Sequence, residues 1–152
     1  MKAVFVGRFQ PLHNGHLDAL EYIEEEYDDI VFVMGSAQES GTKDNPWSAK
    51  ERKEILNEIF PDIPVYFLED VPGDDKGWLE NLNTLVGKYD ALFSGNDWVL
   101  DVCRMYQIPC KKIKFNLNIT GTAIREKLRA DLSVEDLVPP QVHEWIKKHP
   151  IT

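Results

Sequence analysis

The sequence is short of cysteine, of basic residues and of long apolar runs, and each shortage excludes a class of protein. Its 152 residues contain only two cysteines, Cys103 and Cys110, whose spacing fits neither a C-x-x-C pair nor a zinc site. We therefore expect two reduced thiols. Basic residues are also scarce, because 17 Lys and Arg oppose 26 Asp and Glu and leave a formal net charge of −9. That balance argues against a basic face for nucleic acid or anionic lipid. A small anionic ligand, which needs only a few local cations, is not excluded.

Long apolar runs are missing as well. The first apolar run, residues 3–6, is far shorter than the roughly 20 residues that cross a bilayer. It follows directly on Met1 and Lys2, and no signal peptide is visible, so the expected location is the cytoplasm. The hydrophobic fraction of 43% and the charged fraction of 28% fit a globular protein with one domain over residues 1–152.

What is present is an alternation of short apolar runs with amphipathic stretches. Strands are predicted over residues 3–6, 30–34, 65–68, 91–93 and 112–115, and helices over 15–27, 49–60, 78–86, 97–107, 120–130 and 141–149. Ser48 and Glu51 form a predicted capping box. The alternation implies a Rossmann-like α/β fold, a doubly wound parallel five-stranded sheet with helices on both faces. The last helix, about 140–149, is expected to be a C-terminal appendage.

The glycine-bearing loops of this predicted fold indicate where a ligand would bind. In doubly wound sheets, ligands bind beyond the carboxyl ends of the strands, where the strand order reverses. The loops after the first, second and fourth strands carry glycine and lie at that edge. We therefore expect site residues within 7–16, 35–47, 70–78 and 95–96.

The loop after the first strand is the most informative segment, and it reads Gly7-Arg8-Phe9-Gln10-Pro11-Leu12-His13-Asn14-Gly15-His16. It matches neither the G-x-G-x-x-G pattern nor a P-loop. It places two histidines at the start of a helix, where unpaired N–H groups and a partial positive charge favour phosphate. Imidazoles there can donate hydrogen bonds to phosphate without a permanent charge. The alternative is two surface histidines in a polar loop.

A second segment with similar chemistry opens a late helix. The hydroxyls of Thr120 and Thr122 and the first N–H groups of that helix can bind phosphate. Arg125 follows one turn later, with a planar fork that fits phosphate oxygens. The alternative is that Thr120 is only an N-cap and Arg125 only a solvated helix residue.

These two segments resemble the H-x-G-H and [ST]-x-T-x-x-R signatures of the nucleotidyltransferase superfamily. Within it, the chain is similar over nearly its whole length to the archaeal-type nicotinamide-nucleotide adenylyltransferases. Besides the first loop and Thr120-Gly121-Thr122, the similar stretches are Gly35-Ser36-Ala37-Gln38, Asn45-Pro46-Trp47-Ser48-Ala49 with Glu51-Arg52, and Ser94-Gly95-Asn96.

The resemblance implies an activity and a set of site residues. The activity is adenylyl transfer from ATP to the 5′-phosphate of nicotinamide mononucleotide, which gives NAD and pyrophosphate by direct in-line displacement. The catalytic residues it implies are His13, His16 and Arg125. The ATP-binding residues are Gly7, Arg8, Phe9, Gly15, Arg52, Gly95, Asn96, Thr120, Gly121 and Thr122. The mononucleotide-binding residues are Ser36, Gln38, Trp47, Asp70 and Trp78.

Other expectations concern the metal, the assembly and the tryptophans. Mg²⁺ is expected on the ATP phosphates and not in a protein site, and the resemblance implies a homo-oligomer, often a hexamer in such proteins. Trp78 is expected to stack on the pyridine ring, with a core anchor as the alternative. Trp98 and Trp145 are predicted to lie in the core.

Two other functions stay open at this point. The first is adenylyl or cytidylyl transfer to another phosphorylated acceptor, such as phosphopantetheine, flavin mononucleotide or glycerol phosphate. The second is a nucleotide-sensing module without turnover. The sequence also leaves open whether nicotinamide or nicotinic acid mononucleotide is preferred.

Overall fold

The computed structural model describes residues 1–113 and 117–151, and strands alternate with helices along them. The strands are β1 Lys2–Gly7, β2 Asp29–Met34, β3 Val65–Phe67, β4 Ala91–Ser94 and β5 Cys110–Lys112. The helices are α1 Asn14–Glu24, α2 Ala49–Ile59, α3 Asp75–Val86, α4 Asp97–Met105, α5 Gly121–Arg129 and α6 Pro140–Lys148. The predicted α/β fold is confirmed.

The side chains of the central strands alternate between two apolar layers, as the period of two in a strand requires. Phe5 and Phe32 point to a first face, which is covered by α1, α2, α5 and α6. Val4 and Val31 point to a second face, which is covered by α3 and α4. Because both faces are buried, β1 and β2 read as continuous apolar runs in the sequence, and this made them easy to predict.

The order of the strands places the site. All neighbouring strands are parallel, and the order across the sheet is β3-β2-β1-β4-β5. The chain runs outward from β1 to β3 and then crosses back to β4, so the order reverses between β1 and β4. Val6 pairs with Ser94 at the carboxyl ends of these two strands. A ligand cleft is expected beyond them.

Two elements differ from their predicted bounds for identifiable reasons. β5 is Cys110–Lys112 and not residues 112–115, of which 114 and 115 lie outside the described residues. Its lysines are exposed at the sheet edge, so it carries no apolar signal. Helix α3 begins at Asp75, three residues before the predicted start. Its N-cap is Asp74, whose carboxylate accepts the Gly77 N–H at 2.9 Å.

The last helix, which was predicted to be a C-terminal appendage, packs into the first face of the sheet. Trp145 and Ile146 of α6 are buried there. The Trp145 ring lies 5.2 Å from the ring of Trp47, centroid to centroid.

Both cysteines are free thiols, as predicted. Burial raises the pKa of Cys103 to about 12, so this thiol stays protonated at neutral pH. Within residues 1–113 and 117–151, no helix is both long and apolar enough to span a membrane.

Candidate active site

A cleft of about 340 Å³ lies at the carboxyl ends of β1 and β4, where the strand order reverses. Most of the predicted site residues line it, and they come from four loops and three helix starts. These are Gly7, Arg8, Phe9, His13, His16, Ser36, Asp70, Trp78, Gly95, Asn96, Thr120, Gly121, Thr122 and Arg125. Four predicted residues, Gly15, Gln38, Trp47 and Arg52, are not among its lining residues.

His13 and His16 form the capping box of α1 and lie with their rings stacked at 3.8 Å. The Nδ1 atom of His13 accepts the Gly15 N–H at 3.1 Å, and the Nδ1 atom of His16 accepts the His13 N–H at 3.0 Å. A neutral imidazole that accepts at Nδ1 carries its proton on Nε2. Both histidines therefore carry an Nε2–H donor, on side chains that line the cleft.

The charge state of this pair follows from its surroundings. Burial lowers the pKa of His13 from 6.5 to about 4. Burial, with His13 beside it, lowers the pKa of His16 well below 6.5. Both rings are therefore neutral at pH 7, and they can meet a phosphate as hydrogen-bond donors without the permanent charge of an arginine.

The depressed pKa of His13 predicts a loss of stability in acid. The unfolded chain takes up a proton near pH 6.5, whereas the folded chain keeps His13 neutral down to about pH 4. Stability present above pH 6.5 is therefore lost as the pH falls towards 4. For His13 alone, the free energy of unfolding should fall by about 1.4 kcal/mol between pH 7.5 and 5.5. Urea unfolding at the two pH values measures this.

The matched variant is His13→Asn, because asparagine also caps helices and does not titrate. This variant should reduce the change in the free energy of unfolding between pH 7.5 and 5.5 by about 1.4 kcal/mol. His143→Asn, at a partly exposed histidine on α6, is the control and should keep the wild-type difference. If His13→Asn keeps the full wild-type change in the free energy of unfolding between the two pH values, the result would contradict the lowered pKa of His13.

Arg125 reaches the cleft from α5 and is buried, with only 4% of its surface exposed. Its Nη1 donates to the carbonyl oxygen of Gln10 at 2.7 Å, and its Nη2 donates to Thr122 Oγ1 at 3.2 Å. Gly121 makes room for this arrangement, since a Cβ there would lie 2.9 Å from Arg125 Nη1. Thr120 caps α5 by accepting the Ala123 N–H at 3.1 Å.

Arginine charges are concentrated around the cleft. Burial lowers the pKa of Arg125, and the neighbouring Arg8 lowers it further. Arg8 is exposed and lines the same cleft. An anion placed between these guanidinium groups would relieve their repulsion, which is the electrostatic preference expected of a phosphate site.

Arg52, which was predicted to contact ATP, is not among the residues that line the cleft, and its side chain is fully buried. Its Nη1 donates to the carbonyl oxygens of Arg8 at 2.8 Å and Gly35 at 3.2 Å, and its Nη2 donates to that of Ser36 at 3.3 Å. Burial lowers its pKa to about 10, so it remains charged at pH 7. Arg52 therefore joins the loops after β1 and β2 and fixes their spacing.

Replacing Arg52 by lysine should destabilise the fold. A single ammonium cannot reach the carbonyls of both loops, so buried acceptors lose their donors at a cost of about 2 kcal/mol in the free energy of unfolding. Urea unfolding measures the loss. Lys53→Arg, at the next residue of α2, is the control with the opposite exchange and should be nearly neutral. Wild-type stability in Arg52→Lys would show that Arg52 does not hold the two loops together, and would favour a contact with a ligand instead.

Asp70 is held in the cleft by the two polar residues that follow β2. Its carboxylate accepts from Gln38 Nε2 at 2.8 Å and from Ser36 Oγ at 3.2 Å. Its backbone N–H donates to Gln38 Oε1 at 2.9 Å, which closes a two-point contact with the Gln38 amide. Gln38 thus orients Asp70, while Ser36 and Asp70 line the cleft.

Trp47, which was predicted to bind the mononucleotide, is not among the residues that line the cleft. Only 2% of its surface is exposed, and its Nε1 donates to the His149 carbonyl oxygen at 2.8 Å. Its backbone N–H and carbonyl both bond the side-chain amide of Gln10, at 3.2 and 2.9 Å. Trp47 therefore attaches the loop before α2 to the first loop and to the end of α6.

Trp78 and Trp98 meet at the other side of the cleft. Both line it, and their rings pack edge to face with centroids 5.0 Å apart. Trp78 is also part of the second-face core, so both interpretations of that residue have support. Trp98 was predicted to lie in the core, but 45% of its surface is exposed.

Comparison with known proteins identifies the family of this chain. A family model described as cytidylyltransferase-like matches residues 4–136. The nicotinamide-nucleotide adenylyltransferase of Thermococcus sibiricus is 36% identical over 156 residues, covering 97% of this chain and 84% of the relative. That of Sulfurisphaera tokodaii is 35% identical over 157 residues, covering 97% and 91%. The chain belongs to the nicotinamide-nucleotide adenylyltransferases of the cytidylyltransferase-like family.

A solved structure agrees on the fold of this adenylyltransferase family member. It is a bifunctional NMN adenylyltransferase/ADP ribose pyrophosphatase from Francisella tularensis, complexed with AMP and a Mn ion. It superposes with a TM-score of 0.79 at 18% identity, over 97% of this chain and 48% of that one. At this identity the likeness bears on the fold alone.

Gln10 is a site residue of the adenylyltransferase that sequence reasoning missed. Its carbonyl accepts from Arg125 and its side chain bonds Trp47, so it connects three segments that are far apart in the sequence. A glutamine in a loop carries no signal for such a role. Trp98, which was predicted to lie in the core, also lines the cleft.

The cleft of the adenylyltransferase has two chemically distinct ends. His13, His16 and Arg125 lie at the starts of α1 and α5, on the first face of the sheet. Trp78 and Trp98 lie at the starts of α3 and α4, on the second face. One end thus offers cations and N–H donors, and the other offers aromatic rings.

Proposed function

We propose that the protein transfers the adenylyl group of ATP to the 5′-phosphate of nicotinamide mononucleotide and releases NAD and pyrophosphate. The observation that carries the proposal is the convergence of His13, His16, Arg8 and Arg125 on one cleft, which continues to a pair of tryptophans. Relatives that match 97% of the chain bear the name of this activity.

The reaction needs positioning and neutralisation of charge more than it needs a nucleophile from the protein. A phosphate oxygen of the mononucleotide forms a bond to the α-phosphorus of ATP. The bond from that phosphorus to the bridging oxygen breaks, and pyrophosphate leaves with the electron pair. The Nε2–H groups of His13 and His16 and the fork of Arg125 donate to the phosphate oxygens on which charge accumulates.

The ATP end uses backbone as well as side chains. Gly7, Gly95, Asn96 and the first turn of α5 border the cleft closely enough to bind the nucleotide. Mg²⁺ enters with ATP as part of the substrate. Within the described residues, no three His, Cys, Asp or Glu side chains cluster in a way that could hold a metal ion.

The mononucleotide end is built around Asp70. Its carboxylate, held by Ser36 and Gln38, is an acceptor that suits the N–H groups of a carboxamide. A carboxylate on the ligand would meet like charge there, so the amide form of the mononucleotide is favoured over the acid form. The homo-oligomer expected from the resemblance stays a prediction.

The experiment is an assay of the purified protein with ATP, Mg²⁺ and nicotinamide mononucleotide, in which NAD and pyrophosphate are both quantified. Equal amounts of the two products support the proposal. No exchange of labelled pyrophosphate into ATP should occur without the mononucleotide, because no adenylyl-enzyme forms. Turnover only with phosphopantetheine, flavin mononucleotide or glycerol phosphate would show that this compound, and not nicotinamide mononucleotide, is the acceptor. ATP binding without turnover of any acceptor would indicate that the protein is a nucleotide sensor.

A further inference from the structure

The two thiols of the protein lie against each other at the end of α4. Cys103, near the end of this helix, is fully buried, whereas Cys110, the first residue of β5, is half-buried. The Cys110 Sγ donates to the carbonyl oxygen of Leu100, one turn before Cys103, at 3.9 Å. The two cysteine side chains are also hydrogen-bonded to each other. Their sulfur atoms are therefore neighbours in the folded chain.

Backbone hydrogen bonds fix the path of the chain between the two cysteines. The helix ends in a turn in which Gln107 has a left-handed φ of 56°, and the Ile108 N–H donates to the Cys103 carbonyl oxygen at 2.8 Å. The next residue, Pro109, accepts the Leu92 N–H of β4 at 2.9 Å, and β5 then pairs with β4. Because both ends of the connection are held, the contact between the sulfur atoms is a property of the fold.

We propose that Cys103 and Cys110 form a reversible disulfide bond by exchange with small disulfides, and that Cys110 reacts first. Neither cysteine lines the cleft, so the proposal goes beyond adenylyl transfer and is tested without turnover. Both side chains pack in the apolar layer of the second face, where Val99 and Val102 are also buried. A disulfide has no charge and no N–H or O–H group, so such surroundings suit it.

Exposure and acidity set the order in which the two thiols react. Cys110 is reached from solvent, whereas Cys103 is not. Burial, and then the neighbouring Cys110, raise the pKa of Cys103 to about 12, so at neutral pH Cys103 is a thiol and not an attacking thiolate. Cys110 therefore meets the reagent, and Cys103 resolves the product.

The exchange has two steps. In the first, Cys110 loses its proton to solvent and its thiolate attacks one sulfur of a small disulfide, so that a mixed disulfide forms and the other half of the reagent leaves as a thiolate. In the second, Cys103 loses its proton to solvent and attacks Cys110 Sγ, and the remaining half of the reagent leaves with the electron pair of the broken S–S bond. The protein is oxidised by two electrons, and the reagent is reduced to two thiolates. A dithiol reverses the reaction.

The test uses dithiobis(nitrobenzoate), an aromatic disulfide that releases a coloured thiolate at each step. Folded wild-type protein should release two equivalents per chain, keep no adduct and lose the mass of two hydrogens. The rate of the first release should be proportional to the reagent concentration, and the rate of the second should be independent of it, because the second step occurs within one chain. One equivalent with a retained adduct, or two retained adducts, would overturn the proposal.

Two single variants assign the roles of the thiols. Cys103→Ala should release one equivalent, at the rate of the first wild-type step, and should retain the adduct on Cys110. Cys110→Ala should react at least about 10-fold more slowly than wild type, because the remaining thiol is buried and its pKa is high. Equal rates in Cys110→Ala and wild type would overturn the order of reaction. The wild-type stoichiometry decides whether the bond forms even where a variant folds poorly.

Hydrogen exchange reports whether the bond fits the fold. It ties α4 to β5, which lies at the edge of the sheet next to β4. Exchange of the β5 amides should be about 10-fold slower in the oxidised protein, because the bond restricts the locally open state, and dithiothreitol should restore the original rate. Cys103→Ala, treated with the same reagent and then freed of excess, is the control and should show no slowing. Unchanged or faster exchange in the oxidised wild type would mean that the bond distorts this part of the fold, and would overturn the proposal.

Discussion

Replacing His16 by glutamine should lower kcat by about 10²- to 10³-fold while leaving the free energy of unfolding nearly unchanged. His16 has two functions on two atoms. Its Nδ1 accepts the His13 N–H at 3.0 Å and completes the capping box of α1. Its Nε2–H is the donor that we assign to the transition state. Glutamine is a standard residue at this capping position and can supply the acceptor, so the variant keeps the first function and replaces the imidazole donor of the second by an amide N–H on a more flexible side chain.

Three variants make the test specific. His16→Ala should lose turnover to a similar extent and should also lose about 1 kcal/mol of stability, because the His13 N–H loses its acceptor. His149→Gln, at the end of α6, should behave as wild type in turnover. Wild-type kcat in His16→Gln would show that His16 is a capping residue only, and unfolding of both His16 variants would show that capping dominates its role.

The parts of the fold that could be predicted from the sequence are those whose signals are local. β1 and β2 are buried on both faces and appear as apolar runs. The Ser48 and Glu51 capping box formed as predicted, with the Glu51 N–H donating to Ser48 Oγ at 3.1 Å. The two segments that we propose bind phosphate also carry local patterns, namely glycine, histidine and threonine at helix starts. Such signals need no knowledge of what packs against them.

Arg52 and Trp47, two predicted site residues that do not line the cleft, are placed by contacts between distant segments. Arg52 and Arg125 look alike in sequence, since each lies in the first turns of a helix that follows a polar loop. Arg125 lines the cleft, but Arg52 is enclosed by carbonyls of the loops after β1 and β2. Trp47 is buried by α6, about 100 residues later. Whether such a side chain meets a ligand or a carbonyl depends on tertiary packing, which residue type and spacing do not specify.

Replacing Arg125 by lysine should lower kcat/KM by about 10²- to 10³-fold, although the positive charge is kept. The guanidinium has five N–H groups, and one on each terminal nitrogen bonds Gln10 or Thr122. The fork thereby stays oriented and still has donors for phosphate oxygens. A lysine ammonium is a single point of charge, so it cannot satisfy the Gln10 carbonyl and the phosphate in the same geometry.

The comparison that decides the matter is Arg129→Lys, which makes the same exchange one turn further along α5. Arg129 is exposed, and its Nη2 donates to the Lys43 carbonyl oxygen, so we expect nearly wild-type kcat/KM. Equal losses in the two variants would indicate a general effect of arginine on α5 or on the field of the cleft. A loss confined to Arg125→Lys, and larger in kcat than in the KM for ATP, would mean that the fork acts mainly in the transition state. Because this protein has only five arginines and a net charge of −9, that result would also explain how an acidic chain binds a highly anionic substrate: a carbonyl and a hydroxyl orient the fork of Arg125 at the cleft.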